Sequence, residues 1–275
     1  MSAQPPANGR RVSILDLREM KSRGERIAVL TAYDWLYAQL VDASGVDVIL
    51  VGDSLAHVVL GLDSTIALTL DEMIYHARAV RRGTRRSLVV VDLPFLTYQI
   101  SPDEAVRNAG RALQGSGAHA VKLEGGNPRI AGTAQRIVEA GIPVMGHLGF
   151  TPQSVNALGG NRVQGRDDDG RQRLLDDARR LEDAGAFSIV LELIPGDLAA
   201  EVTSTLRIPT IGIGAGPDCD GQVLVLPDML GLNRDFNPRF LRRFGDLGER
   251  TEEAIREYVE AVRSGTYPGP EHTFS

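Results

Sequence analysis

Five short apolar runs in this chain each end on an ionisable side chain, and together these residue types suit chemistry on a small anion. Val46–Gly52 leads into Asp53-Ser54, Leu88–Val91 into Asp92, and Ala120–Leu123 carries Lys122 and closes on Glu124. Pro143–Gly146 leads to His147 and Ile189–Leu191 to Glu192. Singly, an acid closing a strand is a common turn former or helix cap. Lys122 and Glu124 then read as an internal pair, and His147 as a packing histidine. Five together are harder to explain that way, because burying so many charges without a use is costly. Asp53, Asp92 and Glu124 come from consecutive strand candidates, so their carboxylates can converge. Uncompensated, they would repel one another and take up protons. A divalent cation removes the conflict, and oxygen-only ligands select a hard ion: Mg²⁺ first, then Mn²⁺ or another divalent ion. Lys122, two residues before Glu124, shares its strand face and is placed to steady an anionic substrate or intermediate. Glu192, on a later strand, is left to act as a base.

The elements that must position these groups alternate regularly. Strand candidates are residues 27–32, 46–52, 88–93, 120–124, 143–148, 188–193, 210–213 and 222–226, short apolar runs bounded by Gly or Pro and buried on both faces. Helical patterns cover residues 35–44, 70–82, 102–116, 129–140, 168–184 and 197–206, several closing on a glycine suited to a left-handed terminus. Eight strands with helical crossovers predict an α/β fold, a closed (β/α)8 TIM barrel, rather than an open doubly wound sheet. An extra N-terminal helix at 13–23 and C-terminal helices at 238–246 and 249–264 flank it. A single barrel domain over residues 1–275 is expected, with 1–10 a flexible polar arm. In such a barrel the strand C-termini form the rim where active sites are built.

Composition narrows the function classes. Among 275 residues there is one cysteine, Cys219, so neither a disulfide framework nor a zinc site built on several thiolates is available. Thirty basic against thirty-six acidic residues give a net charge of −6. The pairs Arg81-Arg82 and Arg85-Arg86 read as a solvated helix end, not as a nucleic-acid surface. No apolar run reaches the roughly 18 residues of a membrane span, and the N-terminus does not read as a signal peptide. A cytoplasmic protein handling small molecules, without nucleic-acid or membrane partners, is expected. Gly212–Pro217 resembles a dinucleotide loop but lacks its third glycine and reads as a turn. Asp167–Asp169 reads as an acidic first helical turn. His57, His76, His119 and His272 show no metal-ligand spacing.

At these same strand ends the sequence resembles the ketopantoate (3-methyl-2-oxobutanoate) hydroxymethyltransferase family. The matching stretches are Leu30–Asp34, Val51–Leu55, Val58–Thr65, Val91–Phe95, Val121–Gly126, Gly146–Gly160, Val163–Arg166 and Ile211–Val225, in order. The resemblance implies a barrel of the phosphoenolpyruvate/pyruvate type and a Mg²⁺-dependent enzyme. Such enzymes transfer the one-carbon unit of 5,10-methylenetetrahydrofolate to 3-methyl-2-oxobutanoate, giving 2-dehydropantoate for pantothenate and coenzyme A synthesis. It further implies Asp53, Asp92 and Glu124 as metal-associated carboxylates. Asp53, Ser54, Asp92 and Lys122 would contact substrate, Glu192 would accept the proton, and His147 would line the pocket. A homo-oligomer, a decamer, is implied as well. Residues 66–69 and Asn161 depart from the family pattern, and His57 sits at a variable position; none lies on the acidic rim.

The chemistry expected on this reading starts with a 2-oxo acid whose C3–H bond is acidified by a Lewis acid at its carbonyl. Glu192 takes the proton, and an enolate attacks the one-carbon unit. Three alternatives stand beside it. Lys122 could instead form a Schiff base, against which the neighbouring Glu124 argues by favouring the charged amine. A metal-dependent C–C lyase would commonly use a catalytic cysteine, for which Cys219 is poorly placed. A 2-oxo-acid-binding protein without chemistry would have to keep the buried charges idle.

Overall fold

The computed structural model describes residues 10–160 and 162–274. The expected N-terminal arm, apart from Arg10, and the departure at Asn161 fall outside the described residues. Sequence reading gives one domain over 1–275; the structure groups the chain into two compact units, one ending at Val225 and one beginning at Leu226.

The first unit holds eight parallel strands that close in sequence order, with β8 returning to pair with β1. They are β1 (Ile27–Thr31), β2 (Val48–Val51), β3 (Leu88–Asp92), β4 (Ala120–Glu124), β5 (Val144–Gly149), β6 (Ser188–Glu192), β7 (Thr210–Ile213) and β8 (Gly221–Leu224). Helix α1 (Ile14–Ser22) precedes them. The crossovers carry α2 (Trp35–Ala43), short α3 (Leu55–Val58), α4 (Leu70–Gly83), α5 (Pro102–Ser116), α6 (Pro128–Glu139), short α7 (Val155–Leu158), α8 (Asp168–Asp183) and α9 (Gly196–Thr205). No helix joins β7 to β8. The ends of these helices follow local sequence chemistry. In α5, Ser101 Oγ accepts from Glu104 N, Pro102 opens the first turn, and Gly117 closes the helix at φ 76°.

The barrel interior is layered by the two-residue strand period. Val48 and Leu50 on β2, Leu88 and Val90 on β3, Ala120, Met145, Val190, Ile211 and Val223 form one buried apolar cluster. Stepping two residues further along the same inner face gives Asp92 on β3, Lys122 on β4, His147 on β5 and Glu192 on β6. The floor of the barrel is therefore apolar and its rim charged, on the same strands. Helix α1 closes the opposite mouth: Leu17 is fully buried in the cluster, and Ile14 and Met20 pack against it. Val12 N donates to Arg86 O ahead of β3, and Lys21 Nζ lies 2.8 Å from Asp220 ahead of β8.

The second unit holds α10 (Leu226–Met229) and α11 (Leu247–Ser264). The helix expected over 238–246 does not form. Only a single turn closes there, from Leu241 N to Pro238 O; Phe244 N donates instead to Met229 O, and the Arg243 guanidinium to Arg234 O. Tertiary partners for the backbone displace the i to i−4 ladder in a segment that a proline opens and Gly245 ends.

Candidate active site

All seven residues singled out from the sequence lie at the C-terminal rim of β2 to β6, and six are tied in one run of contacts. Lys122 Nζ is 3.0 Å from Asp92 Oδ1, its register partner across β3 and β4. The same nitrogen is 3.3 Å from His147 Nδ1. His147 stands 3.4 Å from Glu124 Oε1 through Nδ1 and 3.1 Å from Glu192 Oε2 through Nε2. Asp53 joins from the end of β2, where its main-chain N donates to Asp92 Oδ2 at 3.0 Å. Ser54 Oγ sits beside them, 2.9 Å from the Tyr33 hydroxyl.

Burial separates the roles. Asp53, Asp92, Lys122, Glu124 and His147 are each no more than 5% exposed, whereas the Glu192 side chain keeps 18% of its surface open. Glu192 is thus the carboxylate of this group to which an arriving molecule has access. Burial pushes the Asp92 carboxyl up to about 6 and the nearby Asp53 charge adds to this, although Lys122 opposes it. Asp53 is raised as well, by burial first and by Glu124 next. Burial disfavours charge on Lys122 too, but Asp92, Asp53 and Glu124 outweigh it and hold the ammonium protonated. For His147, burial and Lys122 act against the charged ring; the bonds to Glu124 and Glu192 prevail and lift it to about 9.

Fully ionised, four carboxylates face two cations, Lys122 and His147, leaving two negative charges in excess at a buried rim. Asp92 Oδ1, Glu124 Oε1 and His147 Nε2 are buried without a well-aligned hydrogen bond, their ion contacts being off-axis. Excess charge and free oxygen lone pairs suit a hard divalent cation. A preassembled three-carboxylate cage is absent, however: no group of three or more His, Cys, Asp or Glu among the described residues is spaced to hold a metal ion. The expected set of Asp53, Asp92 and Glu124 is held in other contacts. Gln153 gives its Nε2 to Asp53 Oδ2 and its main-chain N to Glu124 Oε2, both at 3.0 Å. Mg²⁺ is commonly held by one or two carboxylates and keeps several waters. Asp53 and Asp92 are a pair that fits this, and Glu124 Oε1 is likewise without a well-aligned hydrogen bond.

Gln153 is the principal site residue that charge patterning missed. Besides its two carboxylate contacts it donates to Leu93 O and accepts from the Tyr98 hydroxyl at 2.9 Å. The Tyr98 hydroxyl also accepts from Glu124 N at 3.1 Å. A neutral amide and a phenol leave no mark in a charge pattern, yet Gln153 lies inside the quoted stretch Gly146–Gly160. Gly149 is another: its φ is +93°, and a Cβ there would overlap the Glu192 carbonyl oxygen. That oxygen accepts from Phe150 N at 2.8 Å, so β5 and β6 meet without room for a side chain. A cavity of about 680 Å³ lies beside the rim, with Gly125, Gly149 and Thr151 in its wall.

Over residues 11–270 the sequence matches the family model described as ketopantoate hydroxymethyltransferase. It is 52% identical over 274 residues to a 3-methyl-2-oxobutanoate hydroxymethyltransferase of Syntrophus aciditrophicus, covering 100% of both chains. The enzyme of that name from Chloroflexus aurantiacus is 58% identical over 263 residues, covering 96% of this chain and 92% of the relative. Among solved structures, phosphonopyruvate hydrolase superposes with a TM-score of 0.61 at 13% identity, covering 94% of this chain and 92% of that one. A 2,3-dimethylmalate lyase of the PEP mutase/isocitrate lyase superfamily superposes at 0.59 with 17% identity, covering 95% and 91%. At such identities these two structures speak to the fold alone.

Proposed function

The chain belongs to the ketopantoate hydroxymethyltransferase family and is a hydroxymethyltransferase of pantothenate synthesis; on that premise we propose that it transfers the one-carbon unit of 5,10-methylenetetrahydrofolate to 3-methyl-2-oxobutanoate. The product is 2-dehydropantoate. The observation that carries the chemistry is the buried run from Asp92 through Lys122 and His147 to the one accessible carboxylate, Glu192.

In the proposed reaction the anionic oxo acid enters beside Lys122, whose ammonium is held charged by Asp92. Asp53 and Asp92 would hold a divalent cation, Mg²⁺ first, which would supply Lewis acidity to the substrate carbonyl. Glu192 takes the C3 proton. The charged His147 ring sets Nε2 3.1 Å from Glu192 Oε2, leaving Oε1 as the proton acceptor, and Nδ1 3.4 Å from Glu124 Oε1. The ring thus fixes the base in place without supplying the proton's destination. Charge developing on the enolate oxygen faces the Lys122 ammonium, a fixed positive group in a dry site. The methylene carbon leaves one folate nitrogen to form an iminium at the other, water adds to it, and the second C–N bond breaks. The enolate carbon bonds to the one-carbon unit so released, the oxygen of water becomes the hydroxyl, and the C3 proton and one water proton end on the two folate nitrogens. A Schiff-base role for Lys122 is disfavoured by its geometry, because an amine kept protonated by Asp92 has no free lone pair.

The test is proton NMR of 3-methyl-2-oxobutanoate in D₂O with the enzyme, with and without Mg²⁺ and without folate. Metal-dependent loss of the C3–H signal is expected, with survival of that signal in Glu192→Gln. Turnover with methylenetetrahydrofolate should fall about 100-fold or more in the same variant, the scale of a lost general base. Unchanged turnover would remove Glu192 from the role. Absence of both exchange and turnover in the unmodified enzyme would overturn the assignment.

A further inference from the structure

We infer that the cavity beside the rim receives the polycarboxylate tail of the one-carbon donor, bound by Arg162, Arg166 and Arg173. This inference rests on the proposed function, because it assigns a subsite for that reaction's second substrate.

Three observations carry it. The cavity, about 680 Å³, is of the size that holds a bulky organic group, and its wall reaches the C-terminal ends of β4 and β5. Gly125 and Gly149 in its wall directly follow Glu124 and close the strand of His147. Facing them stand three guanidiniums, all exposed, and none meets an acidic partner among the described residues. The two acids in the lining are already engaged. Asp167 accepts from Gly170 N at the start of α8, and Asp177 pairs with Arg180. Three guanidiniums without an acidic partner, set against two carboxylates that already have donors, leave the wall positive on balance and favour a ligand bearing several carboxylates.

The lining also says which end of a reduced folate enters. It holds no aromatic side chain on which a pterin ring could stack, and apart from the guanidiniums and the two engaged acids it is built from Gly, Leu, Val, Thr and Gln. The ring that carries the one-carbon unit must reach Glu192 and Lys122. The glutamyl carboxylates, at the far end of the molecule, then extend outward along Arg166 and Arg173 on the loop before α8 and on its second turn.

Calorimetric titration of tetrahydrofolate, as the monoglutamate and as a polyglutamate, into the unmodified enzyme and R166Q/R173Q tests this. The arginines are exposed, so the variant is expected to keep its thermal midpoint. The unmodified enzyme should bind the polyglutamate more tightly, with affinity falling as salt rises. The double variant should lose roughly fivefold to tenfold of that affinity, the scale of two exposed ion pairs. Its metal-dependent C3–H exchange and its affinity for 3-methyl-2-oxobutanoate should not change. Equal polyglutamate affinity in the two proteins, or no binding to the unmodified enzyme, overturns the inference. If binding is lost in the variant while neither protein turns over, the tail site stands and the proposed reaction falls. Turnover with an unchanged donor KM in the variant overturns the tail site alone.

Discussion

Gln153 shows how a neutral side chain can govern a charged site. It holds one oxygen of Asp53 and one of Glu124 while Tyr98 and Leu93 fix its own amide. Gln153→Ala should take the amide donor from Asp53 Oδ2 and Leu93 O and the acceptor from the Tyr98 hydroxyl, while Glu124 Oε2 keeps its main-chain donor. We expect a loss of about 1–3 kcal/mol of stability and a larger proportional fall in kcat than in donor affinity, read by denaturant melts and initial rates. His119 makes the opposite case, a histidine with structural work only. Its Nδ1 accepts from Val89 N at 2.9 Å, which requires the neutral ring, and burial followed by Arg11 and Arg81 lowers its pKa to about 4. The sign follows directly. The unfolded ring takes its proton near 6.5, so this contribution is complete above that pH and is lost as pH falls towards 4. His119→Asn can still accept from Val89 N and does not titrate. Between pH 7.5 and 5, urea unfolding of the native chain should lose about 1 kcal/mol more than unfolding of the variant, after allowing for partial exposure.

At the scale of elements, the meeting of β5 and β6 decides where the base stands. Gly149→Ala adds a carbon where φ is +93° and where Glu192 O already occupies the space. Either strand must move, so kcat should fall by about tenfold or more and stability by about 1–3 kcal/mol; a crystal structure and rates of that variant check both. The strands themselves were legible because each is a short apolar run between Gly or Pro, and their ends fall within two residues of the expected positions. The acids and bases were legible for the same reason: a charge interrupting an apolar run is conspicuous. Gly149 was not, since a glycine at a strand end reads as a turn, and only the approach of β6 reveals the missing methyl. The 238–246 segment misled because its periodicity suits a helix, while Met229 O took the Phe244 N–H and Arg234 O the Arg243 guanidinium.

In the barrel as a whole, stability and chemistry occupy opposite ends of the same strands. Leu17 on α1 is fully buried at the floor, among Val29, Val48 and Leu88. Leu17→Ala should cost about 3 kcal/mol through the cavity it leaves, with kcat and both KM values unchanged, as thermal melts and steady-state rates would show. The closed architecture followed from counting eight strand candidates in a chain of this length. Closure also has a temporal side. The bond from Ile27 N to Asp220 O and the pairing of β1 with β8 join the first strand to the last, so neither can form until the chain beyond residue 224 has left the ribosome. Until then β1 offers an unpaired edge and α1 has only part of its floor, and the growing chain carries an adhesive flank through most of its synthesis. The same contact that makes the finished barrel edgeless makes its birth the moment of greatest need for a chaperone.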